Sequence, residues 1–333
     1  MWSRRAHRFA GTAASIVCLL AATTAASPGT LMTLLRQANP LAGKRLWVDP
    51  NSQARRQAET LRRSRPQDAE LLMHIANQPS ARWFGEWARD VSREVDAAVS
   101  TITRSGALPV FVAYNIPGRD CGLYSAGGAR GSDAYRKWIR DFAAGLRGRQ
   151  AIVILEPDAL SGIECLSAAG QADRLALMRD AVKVLKAAKA SVYIDAGNAK
   201  WKTPEVMAAR LRQVDIAGAD GFALNVSNYI ANDASIAYGE KLSKLVGGKH
   251  FLIDTSRNGI GKASDWCNAR GQALGVSPTT NTGHPLVDAF LWVKVPGESD
   301  GTCGGGPRAG SWWNEIALEL SRAASTLART VSR

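Results

Sequence analysis

Val110-Phe-Val-Ala-Tyr114-Asn-Ile-Pro-Gly-Arg119-Asp120-Cys121 and Ala151-Ile-Val-Ile-Leu155-Glu156-Pro157-Asp158 are two short apolar runs, each closing on a turn that carries an aspartate. A continuous apolar run of this length, rich in β-branched side chains and bounded by Gly or Pro, reads as a strand buried on both faces of a parallel sheet. The carboxyl ends of such strands form the rim where α/β proteins place their sites. Asp120 and Asp158 are therefore expected to face one another across a cleft. Trp292-Val-Lys294-Val-Pro-Gly-Glu298-Ser-Asp300-Gly301 repeats the strand-then-acid pattern and adds a third carboxylate. Facing carboxylates suit glycoside hydrolysis, which needs a proton donor and a second acid to tune it or to handle water.

Further strands are expected at residues 45–48, 110–114, 152–156, 192–195, 221–225, 251–254 and 289–294, with helices at 132–146, 171–188 and 204–213 between several of them. Strand and helix in alternation imply a parallel sheet with helices outside, an α/β fold. Periodicity does not distinguish an open sheet from a barrel. No internal repeat and no Pro/Thr/Ser-rich linker interrupts the chain, so one large domain is expected and no tethered second module.

Other motifs follow in order: Ile194-Asp195-Ala-Gly-Asn198-Ala-Lys-Trp201, Asn225-Val-Ser-Asn228-Tyr229, Ile253-Asp254-Thr-Ser-Arg257-Asn258-Gly259 and Asp265-Trp266-Cys267-Asn268. Together with the first three stretches and Gly127-Gly128, over roughly residues 40 to 320, the chain resembles family 6 glycoside hydrolases, the secreted cellulases. The resemblance implies a single-domain distorted β/α barrel with fewer than eight parallel strands, placed at residues 40–333. It implies a β-1,4-glucanase acting on cellulose or soluble β-1,4-glucans with inversion at the anomeric carbon, as a monomer without a cofactor. Endo action is read from loop length: the eleven Gly-rich residues between Asp300 and Trp312 and the short stretch from Cys165 to Gln171 have little reach to roof a polymer. The alternatives are a cellobiohydrolase of the same family or a catalytically weak glycan-binding protein.

Residue by residue, Asp158 is the expected general acid: it follows a buried strand and a proline that fixes its turn, where a partly desolvated carboxyl holds its proton near neutral pH. Asp120 takes the supporting role the resemblance implies, raising the acid's pKa by like charge, with Arg119 beside it keeping Asp120 ionised. Asp300 is the candidate base, the carboxylate an inverting enzyme needs opposite the leaving group. In isolation each has a plainer use, as a helix cap, a surface ion pair or a turn-forming Asp-Gly. The resemblance places Tyr114 under the sugar, has Lys294 and Glu298 hydrogen-bond a glucosyl unit, and adds Arg119, Asp195, Asn198 and Asn225 as substrate-binding residues of the cleft. Asn198 stands where the family pattern carries His, and an amide can bond a hydroxyl but cannot shuttle a proton. Of ten tryptophans, Trp201 and Trp266 fall inside matched motifs and are expected to be sugar platforms. Trp83, Trp138, Trp312 and Trp313 read at least as well as packing residues.

The N-terminus reads as an export signal over residues 1–26: Arg4, Arg5 and Arg8 precede an uncharged stretch from Phe9 that closes on Thr24-Ala25-Ala26. Ser3-Arg4-Arg5 is also compatible with twin-arginine export. Residues 27–39 read as a short extension, and no other segment is long and apolar enough to cross a bilayer. Cys18 leaves with the signal. Cys121, Cys165, Cys267 and Cys303 remain, an even number that suits two disulfides in an oxidising compartment, with three pairings possible. The resemblance implies Cys121–Cys165 and Cys267–Cys303. No Cys-x-x-Cys pair accompanies them, which argues against a metal site. The net charge of +13 raises nucleic acid as a partner, but the basic residues are scattered over amphipathic helices and no nucleic-acid motif is present. A secreted glucan hydrolase is the expectation.

Overall fold

Seven strands lie side by side in chain order, all parallel: β1 Arg82–Phe84, β2 Val110–Ala113, β3 Ile152–Leu155, β4 Ser191–Asp195, β5 Gly221–Leu224, β6 His250–Asp254 and β7 Val287–Leu291. Among the described residues, which are 39–331 of a computed structural model, the helices are α1 Gln53–Leu61, α2 Pro66–Ala76, α3 Val91–Arg104, α4 Ser132–Leu146, α5 Ala168–Ala187, α6 Pro204–Gln213, α7 Asn232–Leu245 and α8 Asn314–Val331. The expected export signal lies outside the described residues. Parallel neighbours joined by crossovers of one hand put the helices on one face and curl the sheet toward closure. The two edges meet where the Ala81 N–H donates to Trp292 O at 3.0 Å and the Trp83 indole to Val293 O at 2.8 Å. The result is a distorted β/α barrel of seven strands.

Period-two alternation divides the strand residues between two cores. Phe111, Val153, Ile194, Phe222 and Phe251 face outward into one cluster with the helices. Val112, Ile154, Tyr193, Leu252 and Ala289 fill the barrel. The helices answer with apolar stripes. In α3, Val91, Val95, Ala98, Val99 and Ile102 are the buried face, and the Asp90 side chain caps the first turn by accepting the Arg93 N–H at 3.1 Å.

Residues 45–48 are not a strand. Leu46 makes an isolated parallel bridge to Leu108, and the first strand is Arg82–Phe84 instead. That strand has three residues at a sheet edge, with Arg82 exposed, so it carries no apolar run. β3 and β5 each stop one residue before the expected end because Glu156 and Asn225 turn into the left-handed region, at φ +49° and +64°. β7 ends at Leu291 because Val293 and Lys294 give their N–H groups to the Asp254 carboxylate, at 3.3 and 3.0 Å, instead of to a strand. α5 begins at Ala168, capped by Ser167.

Three buried carboxylates hold the carboxyl ends of the strands together. Glu156, at the end of β3, accepts the Asn115 and Ile116 N–H groups that follow β2, at 2.9 and 3.0 Å. Asp195, at the end of β4, accepts the Asp158 N–H at 3.1 Å and the Gly197 N–H at 3.0 Å. Asp254, at the end of β6, accepts from Ser227 and Ser256, both at 2.9 Å, as well as from Val293 and Lys294. Burying an N–H without an acceptor costs on the order of 1–3 kcal/mol. Asp254→Ala is therefore expected to destabilise the protein by at least about 3 kcal/mol, and Asp254→Asn by less, since one acceptor oxygen remains. Urea denaturation with an unchanged midpoint for Asp254→Ala would contradict this.

Candidate active site

A cleft of about 940 Å³ opens over the carboxyl ends of the strands, lined by Asp120, Asp158, Asp300, Tyr114, Arg119, Trp201, Trp266, Lys294 and Glu298 among others. Asp195, Asn198 and Asn225 lie beneath it, buried, and hold its loops. Asn198 accepts the Lys200 N–H at 2.9 Å, tightening the turn that presents Trp201. The Asn225 amide donates to Asp254 O at 2.8 Å and accepts the Ile230 N–H at 3.0 Å.

Asp158 sits at φ +68° just past Pro157. Burial pushes its carboxyl well above the ordinary value, and the charges of Asp195, Asp120 and Asp300 add to the rise. Burial also pushes Asp195 up to about 7. Asp120, at φ +56°, accepts the Ser125 N–H at 2.7 Å, and burial raises its pKa despite that bond and the nearby Arg119. Arg119 was expected to keep Asp120 ionised, and its charge does pull that way, but burial outweighs it. Its guanidinium turns to Glu86 with bonds of 2.6 and 2.9 Å, and also donates to Tyr114 O, Ser125 O and Ala126 O.

Asp300 has the opposite electrostatics. Burial alone would raise its pKa, but Arg257 at 2.7 Å and then Lys294 at 3.4 Å outweigh it, helped by the Asn268 N–H at 2.9 Å, and hold the carboxyl below the ordinary value. Arg257 itself is buried, lies over the Tyr229 ring at 4.3 Å and also donates to Ser227 O. One carboxyl raised and another lowered in a single cleft is the arrangement that divides acid from base duty. Burial raises Glu298 as well, and Lys294 donates to Ser299 O at 3.1 Å.

Trp201 and Trp266 are each 38% exposed. Trp266 packs against Tyr124 with centroids 5.9 Å apart. Trp47, Trp83 and Trp87 also line the cleft, and neither Trp47 nor Trp87 stands in any of the sequence motifs. Trp138 belongs to the outer core, whereas Trp312 and Trp313 pack beside the α1, α2 and α8 cluster. The disulfides are Cys121–Cys165 and Cys267–Cys303, each tying a rim loop. Arg257, Tyr229 and Asn268 were also missed as site residues, although each stands inside a motif that the sequence displays. Among the described residues no helix is long and apolar enough to cross a membrane, and no group of three or more His, Cys, Asp or Glu side chains is arranged for a metal ion.

Residues 41–324 match the model of the glycosyl hydrolases family 6. Endoglucanase A of Cellulomonas fimi is 47% identical over 278 residues, covering 83% of this chain and 60% of that protein. Endoglucanase A of Thermobispora bispora is 44% identical over 307 residues, covering 89% and 66%. The chain thus spans about 60–66% of the length of these two relatives. The endoglucanase Cel6 from Mycobacterium tuberculosis, solved in complex with methyl-cellobiosyl-4-deoxy-4-thio-β-D-cellobioside, superposes with a TM-score of 0.82 at 44% identity, over 86% of this chain and 100% of that one.

If Arg257 holds Asp300 ionised, Arg257→Met removes the largest charge opposing burial, leaves only Lys294 and the Asn268 N–H against it, and the Asp300 carboxyl rises. The acid limb of the pH profile of glucan hydrolysis should then move up by about one unit or more, with the alkaline limb little changed. An acid limb that stays where it was in the folded variant would contradict this role.

Proposed function

The chain belongs to glycosyl hydrolase family 6, and from that premise we propose that it cuts β-1,4-glucan chains internally, with inversion at the anomeric carbon. The observation that carries this reading is the opposite displacement of two carboxyls in one cleft, Asp158 upward and Asp300 downward. Asp158 donates its proton to the glycosidic oxygen as the bond to the anomeric carbon breaks. Asp300 takes a proton from the water that attacks the opposite face, and the product is the α-anomer. Asp120, whose charge raises Asp158, keeps the acid protonated. Tyr114 lies under the sugar at the reacting position, Lys294 and Glu298 bond its hydroxyls, and Trp201 and Trp266 stack neighbouring units. Asn198 acts through the turn that carries Trp201.

Endo action is supported by the loop after Asp300. Its eleven residues, 301–311, are bound back to the body: Ser299 N–H donates to Ser311 O at 2.9 Å, Gly310 N–H to Ser299 O at 2.9 Å, and the Asn268 amide to Gly301 O at 2.8 Å. A loop held this way has little reach to roof a bound polymer, as a cellobiohydrolase tunnel requires. The substrate class is supported by the cello-oligosaccharide analogue bound to the M. tuberculosis relative. We further propose that residues 1–26 direct export and are removed, that the disulfides form outside the cytoplasm, and that residues 40–333 are the catalytic unit, acting as a monomer.

Carboxymethylcellulose tests the reading in one experiment. Viscosity should fall steeply while few reducing ends form, the first product seen by proton NMR should be the α-anomer, and Asp158→Asn should lower turnover by at least about a hundredfold. Slow thinning with cellobiose as the main early product would indicate exo action. An initial β-product would overturn inversion, and binding without release of reducing sugar would indicate a binding protein.

A further inference from the structure

The loop Gly85-Glu86-Trp87 between β1 and α3 opens into the same cleft and has no part in the chemistry above. Trp87 is 53% exposed, more than Trp201 or Trp266. Its ring nevertheless has a built seat. A Cβ on Gly85 would stand 2.4 Å from the indole, so only glycine lets the ring fold down on the loop. The Arg119 guanidinium stands 5.4 Å from the Trp87 ring centroid and 4.3 Å from that of Tyr114. One buried cation thus fixes both aromatics, and a glucan lying on Tyr114 has a neighbouring unit within reach of Trp87.

Glu86 completes the arrangement. Both of its oxygens accept from Arg119, yet its side chain is 40% exposed, which leaves acceptor positions for hydroxyl donors. The loop that carries Asp120 closes directly on this pair: a Cβ at Gly127 would come within 2.3 Å of Glu86 Oε1. An open indole face beside a pre-positioned carboxylate is the chemistry that holds a hexose, C–H face on the ring and hydroxyls on the acceptor.

We propose that Trp87 and Glu86 form an additional glucosyl-binding subsite of this cleft, with Arg119 as the residue that positions both rather than as a sugar contact. The proposal rests on the glucan reading above and names a substrate contact that reading does not require. Binding of cellohexaose, measured by calorimetry in the Asp158→Asn background, should weaken about tenfold with Trp87→Ala, the scale of losing one aromatic anchor. Trp87→Phe should retain most of the affinity, and Glu86→Gln should weaken binding by a smaller factor. The thermal midpoint of Trp87→Ala and Trp87→Phe should stay at that of the parent, because Trp87 is exposed, whereas Glu86→Gln removes the counter-charge of buried Arg119 and should lower it. Equal affinity in Trp87→Ala would overturn the subsite. So would a loss of affinity that tracks a lowered midpoint and is not rescued by Phe. A parent that binds no cellohexaose, with a wild type that hydrolyses no glucan, would instead defeat the glucan reading itself.

Discussion

Backbone N–H groups at the carboxyl end of the barrel have left the sheet ladder and have no strand to bond. Glu156, Asp195 and Asp254 supply the acceptors, each from the end of one strand to the loop of a neighbour. The site depends on this belt. Among the described residues, the non-glycine positions with positive φ gather at the same rim, namely Asp120, Cys121, Glu156, Asp158, Asn225, Ser227 and Asn268, apart from Arg147, Lys189 and Asp215. Such conformations cost on the order of 1–3 kcal/mol each and persist where the surroundings fix them. The belt and the two disulfides do the fixing, and Asp158 is held by its own N–H bond to Asp195.

The belt also sets the electrostatics. The belt carboxylates are buried, and burial raises their pKa values: Glu156 and Asp195 both reach about 7. Asp158 stands among them and is raised with them. Asp300, on the loop beyond β7, escapes because Arg257 and Lys294 reach it. Arg257 is thus what sets Asp300 apart from the buried carboxyls around it. Its own placement depends on β6, whose last residue, Asp254, anchors the turn that carries it.

Much of this was legible in the sequence. The acids Asp120, Asp158 and Asp300 follow apolar runs, and an apolar run announces a buried strand whatever the rest of the chain does. The disulfide partners and Trp201 and Trp266 came with the resemblance. The expected hold of Arg119 on the charge of Asp120 is outweighed because burial acts on Asp120 more strongly, and the guanidinium is spent thirty-three positions back on Glu86. Glu86 and Trp87 were invisible because β1 is too short to display periodicity, so nothing marks the loop after it as part of the rim. Arg257 stood in a displayed motif, but only the fold brings it to Asp300, forty-three residues later.

The central claim is that one environment drives Asp158 and Asp300 apart. Carbon-13 NMR of the aspartate side-chain carboxyls tests it directly, with Asp158→Asn and Asp300→Asn used to assign the two resonances. The account predicts that Asp158 titrates well above the ordinary aspartate value of 3.8 and Asp300 below it. Two carboxyls titrating together near 3.8 would contradict it.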